Sequence, residues 1–160
     1  MKCMQCGSPM KTARENFRYG QSGLPVTLLG VAVTRCRKCG EFEVAIPRIE
    51  QLHRVIAMAI IGKRARLTPA EIRFLRKFLG WAGTDFARHM GVTAGAVSRW
   101  ENDREPMGPV ADRLLRLVVA HATAGADYPV GRLAEVAERA AAPLRLGMQS
   151  DAKGWHAEAA

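Results

Sequence analysis

No apolar run in the chain is long enough for a secretion signal or a membrane span. It opens on "MKCMQCGSPMK", and "VIAMAII" at 55–61 falls far short of the roughly twenty residues a span needs. A cytoplasmic protein without membrane contact is therefore expected. The four histidines, His53, His89, His121 and His156, are scattered, with no H-E-x-x-H motif and no Cys/His pairing. No enzyme is expected, and no catalytic residue is assigned. Acidic side chains are scarce as well: 15 Asp and Glu face 24 Lys and Arg, for a net charge of +9 and a pI near 10.0. That balance favours a polyanionic partner such as nucleic acid over an acidic one. The surplus is uneven, with seven positive and three negative charges in 1–47, five and one in 48–67, eight and six in 68–123, and four and five in 124–160. At 160 residues and 48% hydrophobic content the chain can bury a core, and it contains no internal repeat beyond its cysteine motifs.

Cysteine is limited to four residues, all in two short motifs, "CMQCG" at 3–7 and "CRKCG" at 36–40. In a reducing compartment such cysteines are metal ligands or free thiols rather than disulfides. Two residues between cysteines let both thiolates face one ion, and the glycine that follows lets the backbone turn tightly beneath the sulfurs. Cys3, Cys6, Cys36 and Cys39 thus form a candidate tetrahedral site for one structural Zn2+. A closed four-thiolate site leaves no position for a reacting water, so its expected work is to hold together a β unit too small to stand on burial alone. Rubredoxins use similar paired knuckles to hold iron for electron transfer. The long helical half of this chain speaks against that alternative.

Residues 14–46, rich in Val, Leu, Phe and Tyr and broken by "YGQSG" and "LLG", read as short strands and turns. From Pro47 the period changes. Ile49, Leu52, Ile56, Ala59 and Ile60 mark an amphipathic helix ending near Gly62, and "GKRAR" follows as a basic hinge. "LTPAEIRFLRKFLG" starts a helix with Thr68 as N-cap, Pro69 at the first position and Glu71 completing a capping box. A short helix over about 83–90 presents Phe86, Ala87 and Met90. After the Gly91 turn, a helix capped by Thr93 buries Val97 and Trp100. A longer helix over about 109–123 turns Leu114, Leu115, Leu117 and Val118 inward, and another is expected over about 130–141. The resulting fold class is α+β: a zinc-ribbon unit over 1–47, a linker helix and hinge over 48–67, a helical unit over 68–123, a C-terminal helix over 124–142 that is a candidate for packing on a twin, and a disordered tail over 143–160.

The segment 68–120 resembles the Xre/Cro class of helix-turn-helix domain in "EIRFLRKFLG", "FARHMGV" and "AVSRWENDREP". The resemblance implies that the helix after Gly91 enters the major groove of double-stranded DNA. Thr93, Ala94, Gly95, Ser98 and Arg99 would then face the bases, and Asn102 and Arg104 the phosphates. Arg99 is the only long donor among the base-facing residues. Hinge residues Lys63, Arg64 and Arg66 are further candidates for phosphate contact. Gly83 and Ala94 stand where such domains often carry glutamine, so few base hydrogen bonds are available and shape readout must supply more. The resemblance also pairs Glu101 with Arg76 and leaves Trp100 to the core. The combination of paired knuckles, "LPVTLLGVAVTRCRKCGE", "IPRIEQLHRVIAMAI" and this helical unit resembles the MqsA (YgiT-type) antitoxin family over about residues 1–120. That resemblance implies a homodimeric repressor of its own operon, bound to a palindromic operator, and in one branch a zinc half that neutralises an RNase toxin. A protein-interaction module whose zinc unit binds a partner is the alternative.

Overall fold

The computed structural model describes residues 1–137 and 141–159, and its fold is α+β. Strands β1 (Met10–Arg18) and β2 (Val26–Cys36) form an antiparallel pair, with Met10 opposite Cys36 and a bulge between Glu15 and Phe17. Gly30 takes φ +59° there. Its N–H donates to Asn16 Oδ1 and its carbonyl accepts from Arg14 Nη1, so the bulge keeps its polar groups paired. β3 (Phe42–Val44) adds to the far half of β2. On β2, Val26, Leu28, Val31 and Val33 are buried, giving the strand one apolar face.

Helix α1 (Ile49–Gly62) buries Leu52, Ile56, Ala57, Ile60 and Ile61. These residues share one continuous core with the buried face of β2 and with the helical half. Four helices follow: α2 (Pro69–Phe78), α3 (Gly83–Met90), α4 (Ala94–Glu101) and α5 (Pro109–Ala122). The expected capping box forms, with Thr68 Oγ1 accepting from the Glu71 N–H and Glu71 Oε1 accepting from the Thr68 N–H. Thr93 Oγ1 accepts from the Ala96 N–H, the N-cap expected for α4.

Three expectations give way. Residues 143–160 were expected as a disordered tail, yet they contribute β4 (Leu146–Asp151) and β5 (Gly154–Ala159). β4 lies parallel to β2, with Val26 opposite Leu146 and Leu28 opposite Met148, giving the order β1-β2-β4-β5. The reason is burial: Leu146, Met148 and Trp155 complete the core, and Trp155 Nε1 donates to the Pro47 carbonyl at 2.7 Å. Trp155→Phe loses that bond and leaves part of the indole's buried volume unfilled, so a loss of at least about 1 kcal/mol in urea unfolding is expected; unchanged stability would contradict the anchoring.

The second correction concerns 130–141. Val130–Glu135 is a 3-10 turn rather than an α-helix, and 138–140 lie outside the described residues. Val136 is buried within its own chain, and Arg113 donates to the Leu133 and Val136 carbonyls. This segment is tied to α5 through Arg113 and is not an α-helix. The third correction concerns α5 itself. It buries Asp112, Leu115, Arg116 and Val119, leaving Leu114 and Leu117 outside at 37% and 39% exposure. The stripe at i, i+3, i+4 and i+7 includes a carboxylate and a guanidinium that bond each other, Arg116 Nε donating to Asp112 Oδ1 at 2.7 Å.

Candidate metal centre and nucleic-acid interface

Both knuckles have the same backbone. Gly7 N–H donates to Cys3 O at 2.8 Å and Gly40 N–H to Cys36 O at 3.0 Å, and the two glycines hold φ at +69° and +79°. An L-residue is strained in that region, which is why glycine follows the second cysteine of each pair. The strand pairing of Met10 with Cys36 brings the knuckles together. All four Sγ atoms lie within 4.8 Å of one another, with Cys3–Cys39 at 3.4 Å and Cys6–Cys36 at 3.5 Å.

These separations are far beyond a disulfide bond of about 2.05 Å and close to the roughly 3.8 Å edge of a tetrahedron built on metal–sulfur bonds of about 2.3 Å. The cluster can therefore hold a metal ion. Without an ion the sulfurs perturb one another in opposite directions. Hydrogen bonding from Ser8 pulls the Cys6 thiol down to about 6. At Cys39 the lowering effect of the Glu41 backbone is outweighed by sharing with Cys3, burial and the other two sulfurs, and the thiol is pushed up to about 12.

The second region is α3, the Gly91 turn and α4. Gly91 takes φ +68° and ends α3 with its N–H on the Ala87 and Arg88 carbonyls. Ala87 and Val97 are buried, and Trp100, 6% exposed, meets Phe86 edge to face at 6.4 Å between centroids. Trp100 is thus a core residue. Glu101 accepts from Arg76 Nε and Nη2, the pairing expected for a carboxylate at a helix C-terminus.

The outer face of α4 and its exit carry Thr93, Ala94, Gly95, Ser98, Arg99, Asn102 and Arg104, all exposed. Several of their polar atoms are already engaged. Thr93 caps the helix, Asn102 Nδ2 donates to the Ser98 carbonyl at 2.8 Å, and Arg99 Nε donates to Glu105 Oε2 at 2.6 Å. A Cβ at Gly95 would stand 3.3 Å from Arg99 Nη1, so the bare glycine lets the guanidinium lie back along the helix. Glu105 was missing from the sequence-based set. The signal for it was present, since a carboxylate six positions after an arginine, across a turn, is within reach.

Two of the three hinge candidates for phosphate contact are held in interior ion pairs. Lys63 and Glu71 pair in the interior, their side chains 5% and 2% exposed, and Lys63 Nζ also reaches the Ala142 carbonyl. Burial pushes the Lys63 pKa down despite Glu71. Arg66 Nε donates to Asp112 Oδ2 at 3.1 Å and its Nη2 to the Met107 carbonyl. Neither side chain is free to meet a phosphate. Of the three hinge candidates only Arg64 is solvent-exposed, beside Glu135 at 3.6 Å. Arg116 closes the network, donating to the backbone carbonyls of Ile61, Lys63 and Ala65. Sequence reasoning saw a basic hinge; the structure has a strapped joint.

Among the described residues no helix is long and apolar enough to cross a membrane. Comparison with protein-family models, curated proteins and solved structures finds no match to this chain.

Proposed function

We propose that this chain is a cytoplasmic, sequence-specific DNA-binding repressor that acts as a homodimer on a palindromic operator and is stabilised by one structural Zn2+. The observation that carries the reading is the α3–Gly91–α4 pair: two short helices joined by a left-handed glycine, with a buried Val97 and Trp100 on one side of α4 and an exposed Arg99 on the other. A protruding helix with small residues at its start fits close approach to a groove, and the net charge of +9 suits a polyanion. The cysteine cluster would hold zinc, the metal whose geometric indifference best suits a closed thiolate site. For a second copy, Val110, Leu114 and Leu117 on α5 supply exposed apolar surface.

Arg99 reads sequence in this proposal by leaving Glu105 and taking guanine O6 and N7 together. Arg99→Ala should weaken binding to the operator by about 1–3 kcal/mol while changing random-sequence binding much less. Fluorescence anisotropy on both duplexes measures this, and equal losses would remove Arg99 from base reading.

The antitoxin role implied by the family resemblance would place a protein partner on the N-terminal unit. The exposed Lys11, Arg14, Arg18, Arg37 and Lys38 there favour a partner with an acidic face.

A further inference from the structure

Between the Tyr19–Gly23 loop and one flank of α1 and α2 lies a cleft of about 460 Å3. Small-molecule sites commonly enclose about 300–1,000 Å3, with apolar walls and a few placed polar groups. Here Ile49, Phe74 and Phe78 supply apolar wall, and Arg73 and Lys77, one helical turn apart on α2, supply two cations. Like charges at this spacing repel each other, and an anion between them removes the repulsion. Their neighbour Arg76 is paired with Glu101, and Lys63, Arg66, Arg99 and Arg116 each have a carboxylate. Among the described residues, Arg73 and Lys77 have none. The rest of the cleft offers no countercharge. Tyr19 Oη and His53 Nε2 share a hydrogen bond of 2.9 Å, and burial raises the tyrosine and lowers the histidine, which keeps the pair neutral near neutral pH. The loop is held in place, with Ser22 Oγ donating to the Tyr19 carbonyl and accepting from the Leu24 N–H.

We propose that this cleft binds a small organic anion, with its carboxylate or phosphate head on Arg73 and Lys77 and its apolar body against Ile49, Phe74 and Phe78. Occupancy is transmitted to α4, because Arg73 Nη2 also donates to the Glu101 carbonyl at that helix's last residue. The site stands on the cleft itself and does not require that the chain bind DNA.

The test is an amide NMR titration of the full metal-loaded chain with phenyl phosphate, benzoate, inorganic phosphate and benzyl alcohol. Phenyl phosphate or benzoate should shift amides in 19–24, 73–78 and 101–104, and bind about tenfold more tightly than either inorganic phosphate or benzyl alcohol, which lack one half of the recognition. The tighter of the two identifies the preferred head group. Arg73→Gln and Lys77→Gln should each weaken that binding about tenfold, with the remaining spectrum confirming an intact fold. Absence of saturable shifts in the cleft, equal affinity for inorganic phosphate, or undiminished binding by the double variant would overturn the site. Shifts confined to 19–24 and 73–78 would overturn the transmission to α4.

Discussion

Replacing Cys36 with Ser should release the metal, from about one ion per chain to nearly none, because structural zinc sites carry an apparent binding energy on the order of 10–16 kcal/mol that depends on all their thiolates. The extent of the resulting disorder follows from the packing. Beyond Val33 the knuckle end of the sheet buries Cys3 and Cys36, whereas Leu24, Val26, Leu28, Val31 and Val33 belong to the core shared with α1 and β4. Amides in 1–14 and 34–44 should therefore lose protection in hydrogen exchange, while those in 24–31 and the helices keep most of theirs. The same pattern is expected on adding a strong chelator to the unmodified chain. Metal content unchanged in Cys36→Ser would contradict the four-ligand site, and complete loss of protection in α1 would contradict the shared core.

Arg116→Met should lower stability by about 3–5 kcal/mol, the range for breaking a buried ion pair from one side. Arg116 is fully buried, and methionine fills similar volume, so the loss is of polar partners rather than of packing. The Ile61, Lys63 and Ala65 carbonyls lose their donor, and Asp112 retains only Arg66 and the Leu67 N–H. For a chain of this length the midpoint of thermal unfolding should fall by roughly 10 °C. Residues 62–67 should also become mobile in amide relaxation, since nothing else ties that many of their carbonyls. A loss below about 1 kcal/mol would assign Arg116 to a solvated site.

The helical half was readable wherever a local rule sufficed. Capping at Thr68 and Thr93, the Gly91 turn and the inward Trp100 each depend on residues within one or two turns. The clustering of the four cysteines was equally plain, because the paired C-x-x-C-G spacing points to one shared site. Residues that depend on a distant partner were not readable. β4 and β5 form a hairpin across the Asp151–Gly154 turn, a local signal in "DAKG". But β4 has only Leu146 and Met148 as its buried alternation, and its other partner, β2, precedes all five helices in the chain, so nothing local marks that pairing. In α5 two stripes overlap. The apolar reading turns Leu114, Leu115, Leu117 and Val118 inward; Leu115 is buried, but Leu114 and Leu117 are exposed and Asp112 and Arg116 take the interior stripe instead. Asp112 and Arg116 sit at i and i+4 within a leucine-rich helix, and that spacing was the available sign of a buried pair. At the hinge, Lys63 and Arg66 read as free cations because their acids, Glu71 and Asp112, come from α2 and α5.

With Lys63 and Arg66 held in interior ion pairs and Arg64 the one hinge cation still exposed, the proposed interface centres on α4, where Arg99 is the one long donor on the base-facing side. The most direct measurement of that proposal is footprinting of the chain on DNA upstream of its own gene at about 50 and 200 mM salt. A two-fold-symmetric protected site is expected, with half-site centres about 34–36 Å apart, affinity that falls with salt, and a preference over random DNA that survives at the higher salt. Uniform weak protection, or binding of random DNA as tight as that of the upstream segment, would contradict sequence-specific repression by α4.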